Sequence, residues 1–159
     1  MGEGVFVTEF HERPFAQRWG AMGDAAEQAF LELYPKAHRL GLDRTSLRVD
    51  KMPQHARYTP DFLVENGAVE VMGFSSRGNN ALKVKCEKLE SLIVWEALMP
   101  TALWVRDSAT KRVWIAQPTV WAQACYRHAE RLHFPDNGRA YWNLKRADFP
   151  ECEAFHAAA

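Results

Sequence analysis

The sequence predicts an α/β domain in which a mixed central sheet is flanked by helices, with an added C-terminal helix and an irregular tail. Apolar residues recur at steps of three and four from Phe15 to Leu33, which is the period of a helix packed on one side. Two apolar, β-rich runs at residues 58–64 and 68–74 flank Asn66-Gly67, a strong short-range signal for a β-hairpin. Helical and extended patterns then alternate as far as residue 133.

Length and composition favour one globular domain. The chain has 159 residues, of which 47% are hydrophobic and 25% charged, and its 20 basic residues balance its 20 acidic ones. These values exclude disorder, collagen and a coiled coil as descriptions of the whole chain, and the neutral total excludes a generally basic DNA-coating protein. The three cysteines include no CxxC pair, and the sequence has neither an apolar run long enough for a membrane helix nor a secretory signal. These features predict a cytoplasmic protein.

The first half of the chain divides into an arm, a helix and a hairpin. Residues 1–15 form the arm, and the helix that begins at Phe15 ends before Pro35. Residues 48–52 alternate weakly and suggest a strand. The hairpin follows, and residues 75–80 are expected to form a polar loop.

The second half begins with a helix predicted over residues 81–98, which Pro100 ends. A strand pair at 101–106 and 112–116 follows, and Pro118 opens a third helix that we expect to continue to about His133. We therefore expect one domain over residues 1–159, with a core at 16–118 and a C-terminal helix and irregular tail at 119–159.

Two carboxylates interrupt the apolar strands of the hairpin. A charged side chain in a half-buried strand is costly unless it is paired or binds a metal. A two-residue turn at Asn66-Gly67 would place Asp61 opposite Met72 and Glu70 opposite Leu63, so that the carboxylates become diagonal neighbours on one face. With the backbone carbonyl of Val71 they would form a hard oxygen site for Mg²⁺, or for Mn²⁺ as a substitute. The alternative is that both are solvated on an open sheet face.

The same residues carry a resemblance to a known superfamily. Pro60-Asp61, with Glu70 nine positions later and a helix that carries Glu27 before them, resembles the PD-(D/E)XK nucleases, whose fold is the restriction-endonuclease-like αβββαβ core. The segments YTPDFLV and GAVEVMG are similar to the transposase-endonuclease and phage-nuclease branches. The resemblance covers residues 16–118. It implies that Asp61 and Glu70 are catalytic and hold the metal, and that Glu27 completes the site.

The function that this resemblance implies is metal-dependent hydrolysis of phosphodiester bonds in DNA. The protein would then be an endonuclease of recombination, transposition or phage DNA processing, with branched DNA as one candidate substrate, in a bacterial or phage-infected cell. A homodimer and a partner protein that provides targeting both stay open.

One position departs from the superfamily pattern. The motif lysine belongs two residues after the Glu, where this chain has Met72. In some branches the lysine lies on the next helix, and Lys85 falls only about 35° from the apolar stripe of the helix predicted at 81–98. We therefore expect Lys85 to be the catalytic lysine, unless it only extends past the edge of the core. The rival hypothesis is a catalytically lapsed DNA-binding or assembly module.

Further basic and polar residues surround the motif and are candidates for contacts with DNA phosphates. Lys83 and Lys88 lie farther from the apolar stripe than Lys85 and would face the nucleic acid. Arg57 precedes the motif by a few residues, and Arg77 and Asn79 lie in the polar loop after the hairpin.

Overall fold

The structure is a computed structural model that describes residues 15–41, 52–77, 81–135 and 138–151, with the side chains of its first helix described from Gly23 onward. That helix, α1 (Phe15–Leu33), has the predicted bounds. Ala26 and Phe30 are buried against the sheet, whereas Leu33 is 64% exposed and does not join the predicted apolar stripe. The strand suggested at 48–52 lies almost entirely outside the described residues.

A five-stranded sheet forms the centre of the described fold. In spatial order it contains β1 (His38–Arg39), β2 (Phe62–Val64), β3 (Gly67–Phe74), β5 (Thr101–Asp107) and β6 (Val113–Ala116). β3 and β5 are parallel, and the other neighbouring pairs are antiparallel. The short helix α2 (Gln54–Arg57) precedes β2. The chain is therefore an α/β protein with a mixed sheet, as its sequence predicts.

The hairpin has a different register from the predicted one. Phe62 pairs with Val69 and Val64 with Gly67, so Glu65 and Asn66 form the turn and Gly67 already belongs to β3. Gly67 has φ +155°, and a Cβ there would lie 2.0 Å from the carbonyl oxygen of Pro100. The glycine is therefore required both by this positive φ and by the close approach of the Pro100 backbone.

A second, three-stranded sheet replaces two predicted features. β4 (Leu82–Lys85) pairs with β8 (Arg139–Leu144), which pairs with β7 (Glu130–Phe134). The predicted helix at 81–98 was thus wrong over its first residues, because α3 (Cys86–Leu98) begins only after β4. The third helix, α4 (Pro118–His128), ends before residue 133, and the tail predicted to be irregular contains most of a hairpin.

The core lies on both faces of the central sheet. On one face, α1 packs against β2, β3 and β5 through a cluster that includes Phe30, Phe62 and Trp104. On the other face, a larger cluster joins the central sheet to α3, α4 and the small sheet, with Leu92, Trp121 and Leu144 fully buried. Among the described residues, no helix is long and apolar enough to cross a membrane.

Candidate functional site

Glu70 is the most unusual residue of the central sheet. It lies in the middle of β3 between two buried valines, and only 2% of it is exposed. Successive side chains of a strand point to opposite faces, so Glu70 shares its face with Met72 and Phe74, which pack in the larger cluster beside α3. A carboxylate buried at such a position requires a charged partner.

Asp61 faces Glu70 across the hairpin. Extending the β2–β3 register by one residue beyond Phe62↔Val69 places these two acidic residues directly opposite each other, closer than the diagonal arrangement predicted. The Asp61 carboxylate accepts a hydrogen bond of 2.9 Å from the backbone amide of Val71. Its backbone carbonyl accepts hydrogen bonds from the amides of Leu40 and Gly41, so both its main chain and its side chain are anchored.

Lys88 supplies the charged partner of Glu70. It lies in the first turn of α3, and its amine forms an ion pair with Glu70 Oε1. The structure therefore brings Lys88 to the carboxylate pair, where the sequence predicted Lys85. The cause is the boundary of α3: Lys85 ends β4, so the helical angles that assigned it an inward direction do not apply.

The electrostatics of the site disfavour ionisation of Asp61. Burial and the neighbouring Glu70 raise the pKa of Asp61 to about 8, against the lowering effects of Lys88 and the Val71 amide. Burial opposes the charge of Lys88, yet Glu70 and Asp61 outweigh it and raise the pKa of this amine above its usual range. One ammonium group therefore serves two facing carboxyl groups.

Val71 adds a third oxygen on the same edge. In a strand, the N–H and C=O groups of one residue point to the same side, so the Val71 carbonyl faces the edge on which its amide binds Asp61. Carboxylate and carbonyl oxygens are ligands suited to Mg²⁺ or Mn²⁺, and a divalent cation would offset the negative charge. This donor set fits the implied metal in its chemistry. Within the described ranges, however, no three or more His, Cys, Asp or Glu side chains are grouped to hold a metal ion.

Glu27 stands apart from the pair. It is partly buried on α1, and its carboxylate forms an ion pair with Arg39 of β1. Its charge contributes to the raised pKa of Asp61, but less than burial and Glu70 do. Glu27 is thus near the site, with an ion pair of its own.

Lys85 lies in a basic cluster beside the site. Its amine is 5.9 Å from the centre of the Tyr58 ring, and Arg57 lies at the same distance from that ring. Glu87 accepts a hydrogen bond of 3.2 Å from the Tyr58 hydroxyl and lies 3.8 Å from Arg57. Burial, followed by the charges of Arg139 and Lys88, lowers the pKa of Lys85 to about 8. Positive charge is therefore concentrated next to the carboxylates.

The remaining predicted contact residues are dispersed. Lys83 is exposed on β4, and Arg77 is exposed on the loop after β3. Asn79 lies outside the described residues. The sequence reasoning missed Tyr58 and Arg139; the alternation of Leu82 and Val84 with the two lysines was the available signal for β4, and hence for the partner strand that carries Arg139.

Comparisons with known proteins add no family or relative. No protein-family model, curated protein or solved structure matches the chain. The geometry of the site therefore carries the functional argument.

Proposed function

We propose that the protein is a metal-dependent nuclease of the PD-(D/E)XK type that hydrolyses phosphodiester bonds in DNA. One observation carries the proposal: Glu70 is buried in the central sheet opposite Asp61 and forms an ion pair with Lys88 from the following helix. A purely structural sheet gains little from such a group, because burying charges costs several kcal/mol per ion, which their attraction offsets only with good geometry.

The side chains have distinct roles in this proposal. Asp61, Glu70 and the Val71 carbonyl would hold Mg²⁺. When bound, this ion supplies a Lewis acid that stabilises negative charge on the phosphate and on the leaving oxygen. The Lys88 ammonium donates hydrogen bonds and offsets charge that develops at the phosphate. Lys85 and Arg57, in the adjacent basic cluster, bind neighbouring phosphates of the strand.

In this proposal, Lys88 takes the place of the missing motif lysine. Met72 packs against the larger hydrophobic cluster and has no polar role in the site. An amine that comes from the first turn of α3 reaches Glu70 from the same face of β3 to which Met72 points. We infer that the lysine function has moved from the strand to the helix, at Lys88 and not at Lys85.

The order of elements also supports the proposal. A helix, three antiparallel strands, a helix and a strand parallel to the third occur here in the order α1, β1, β2, β3, α3, β5, with the short helix α2 inserted after β1 and the strand β4 before α3. Apart from these two insertions, the order is compatible with the αβββαβ core that the resemblance implies. The added α4 and the small sheet extend it.

A cleavage assay tests the proposal. Plasmid and short branched or linear DNA substrates are incubated with the protein and Mg²⁺ or Mn²⁺, and the products are separated on gels. We expect cleavage by the wild type and a loss of at least about 100-fold for Asp61→Asn, Glu70→Gln and Lys88→Met. Glu65→Gln, at the exposed turn of the same hairpin, and Lys145→Met, at an exposed site, are the matched controls and should retain full activity.

A non-catalytic DNA-binding module is the second candidate. It is favoured by the Lys88–Glu70 ion pair, which already neutralises one carboxylate without a metal. The two candidates give opposite results in the same assay. DNA binding without cleavage under either metal, with the wild type and the three site variants indistinguishable, would support the module and reject the nuclease.

A further inference from the structure

The small sheet has one face that is not buried. In antiparallel pairs, directly opposed residues lie on the same face. Lys85 pairs with Tyr141, and Phe134 pairs with Arg139. Tyr141 and Arg139 are two positions apart on β8, so both pairs lie on the same face, together with Lys83, which is two positions before Lys85. We call these five residues the open face. Lys83 is exposed, the other four are partly exposed and none is buried.

The opposite face of the same sheet belongs to the core. Leu82, Val84 and Leu144 are buried there in the larger hydrophobic cluster, and Trp142 packs against them. Tyr126 of α4 contacts the Trp142 ring with their centroids 5.2 Å apart. The helices α3 and α4 therefore cover one side of the sheet, and the cations and rings of the open face lie on the other, with Tyr58 beside Lys85 at one end.

Contacts across the open face join its rings to its cations. The Phe134 and Tyr141 rings meet edge to face with centroids 5.1 Å apart. The Lys83 amine lies 5.8 Å from the centre of the Phe134 ring. Aromatic faces beside a positively charged track are the combination that binds single-stranded nucleic acid, because unstacked bases stack on the rings while phosphates contact the cations.

The open face leads directly to the candidate site. Lys85 is its last residue on β4, and Lys88 follows three residues later in the first turn of α3. The charges of Arg139 and Lys88 both act on Lys85, so three cations lie close together at this end. Glu130 is on the same face at its opposite end, paired with Asn143. Positive charge therefore increases toward the carboxylate pair.

We propose that the open face binds a single-stranded segment of DNA and leads it to Asp61 and Glu70, with phosphates on Lys83, Lys85 and Arg139 and bases on Tyr141 and Phe134. A duplex is a poor occupant because its bases are already stacked and present no free faces to the rings. This inference rests on the proposed nuclease function and specifies its substrate class: DNA with a single-stranded segment next to the cleaved bond.

A DNA-binding assay without divalent metal, so that no cleavage takes place, tests the inference. The probes are a fluorescein-labelled 20-mer of thymidines and a blunt 20-base-pair duplex, and fluorescence anisotropy is measured with the full chain in buffer containing EDTA. We expect the single strand to bind at least about tenfold more tightly than the duplex. Lys83→Glu and Tyr141→Leu should each raise the Kd for the single strand about tenfold, as expected for a lost phosphate contact or a lost stacked base. Lys83→Glu should also reduce the dependence of the Kd on salt.

Matched controls lie on the covered side of the sheet. Arg127→Glu and Tyr126→Leu make the same chemical changes on α4, where both residues are exposed, and should change the Kd less than twofold. Circular dichroism checks the fold of each variant, and Lys83→Glu, at an exposed position, decides the result if Tyr141→Leu unfolds. Equal or tighter binding of the duplex, or equal losses in the controls, would overturn the inference.

Cleavage and binding fail independently. Binding that shows the expected losses, with no cleavage under either metal, rejects the nuclease and retains the open face as a DNA-binding surface. Cleavage of DNA with an unchanged Kd in the Lys83 and Tyr141 variants retains the nuclease and rejects the open face.

Discussion

Replacing Lys88 with methionine should lower the free energy of unfolding strongly, even though methionine keeps the length of the aliphatic part of the side chain. The variant removes the ammonium group from Glu70 Oε1 and leaves a carboxylate that is 2% exposed without its partner. Removing one partner of a buried ion pair costs about 3–5 kcal/mol, because the remaining charge is buried without compensation. The Lys88 side chain is 25% exposed, which puts the expected loss near the lower end, about 3 kcal/mol.

A double-mutant cycle isolates the ion pair. Glu70→Gln alone should cost about 1–2 kcal/mol, since it weakens a charged hydrogen bond while Asp61 remains close to Lys88. The double variant Lys88→Met/Glu70→Gln should be more stable than the sum of the single losses predicts, by about 2 kcal/mol, because no uncompensated charge remains on β3.

Urea denaturation followed by circular dichroism measures each free energy of unfolding, in buffer containing EDTA at pH 7. A loss of about 3 kcal/mol corresponds to a fall in Tm of roughly 6–12 °C for a chain of this size. Lys83→Met, at an exposed position on β4, is the control and should change stability by less than about 0.5 kcal/mol. The reasoning is refuted if Lys88→Met costs no more than this control, or if the two single losses are additive.

Three further predictions concern stability. Asp107→Asn should cost about 2–3 kcal/mol, since this fully buried carboxylate accepts hydrogen bonds from Ser76 and Thr110, which outweigh burial and hold its pKa well below the usual range. Because that pKa is depressed, the contribution of Asp107 to stability is complete above about pH 4 and declines as the pH falls. Urea denaturation at pH 7 and at pH 3 should therefore show a smaller difference in the free energy of unfolding between the wild type and Asp107→Asn at pH 3. The same difference at both pH values would contradict this. Gly67→Ala should lower the free energy of unfolding by at least about 2 kcal/mol, because its Cβ would meet the Pro100 carbonyl. Gly23→Ala in α1, where a Cβ would have nothing within 4 Å, should instead raise it by about 0.5–1 kcal/mol. Equal effects of the two substitutions would reject the clash with Pro100. Lys85→Met should stabilise the protein by about 1–2 kcal/mol at pH 7, since burial lowers the pKa of the Lys85 amine to about 8. The gain in stability should vanish as the pH approaches about 10.5, the pKa of a lysine amine in the unfolded chain. A gain that persists at that pH would exclude burial of the charged amine as its cause.

The hairpin shows how far local patterns specify the fold. Its two strands and the Asp61–Glu70 pair follow from alternation and from the Asn66-Gly67 signal, and the structure contains both strands. The register could not be predicted, because Gly67 is required by contact with Pro100, which lies 33 positions later in the chain. Propensity identifies a turn within a residue or two, and tertiary contacts set its position.

The site lysine shows the limit of a periodicity argument. Apolar residues in the segment 82–89 fit both the two-residue period of a strand and the period of a helix. The sequence analysis applied the helical period to the whole segment. β4 forms because β8, some 60 residues away in the chain, pairs with it and because Leu82 and Val84 complete the larger cluster. Once Lys85 becomes a strand residue, Lys88 is the lysine in the first helical turn that reaches Glu70.

A hairpin between neighbouring segments explains the error at the C-terminal end. The helix predicted to run to residue 133 ends at His128, because residues 130–134 pair with β8 and not with solvent. Only the pairing of β8 with the distant strand β4 leaves no signal within a local window. The class of the fold was therefore predictable, whereas the assembly of the second sheet was not.

The direct junction between β4 and α3 has a mechanical consequence. Lys85 is both the last strand residue and the residue that caps the helix, so no flexible linker separates the small sheet from the helix that carries Lys88. A tilt of the small sheet would therefore be transmitted to the first turn of α3, and the backbone positions of Lys85 and Lys88 would shift together. Surface loops generally tolerate insertions. An insertion at the junction of β4 and α3 would instead separate the open face from the carboxylate pair.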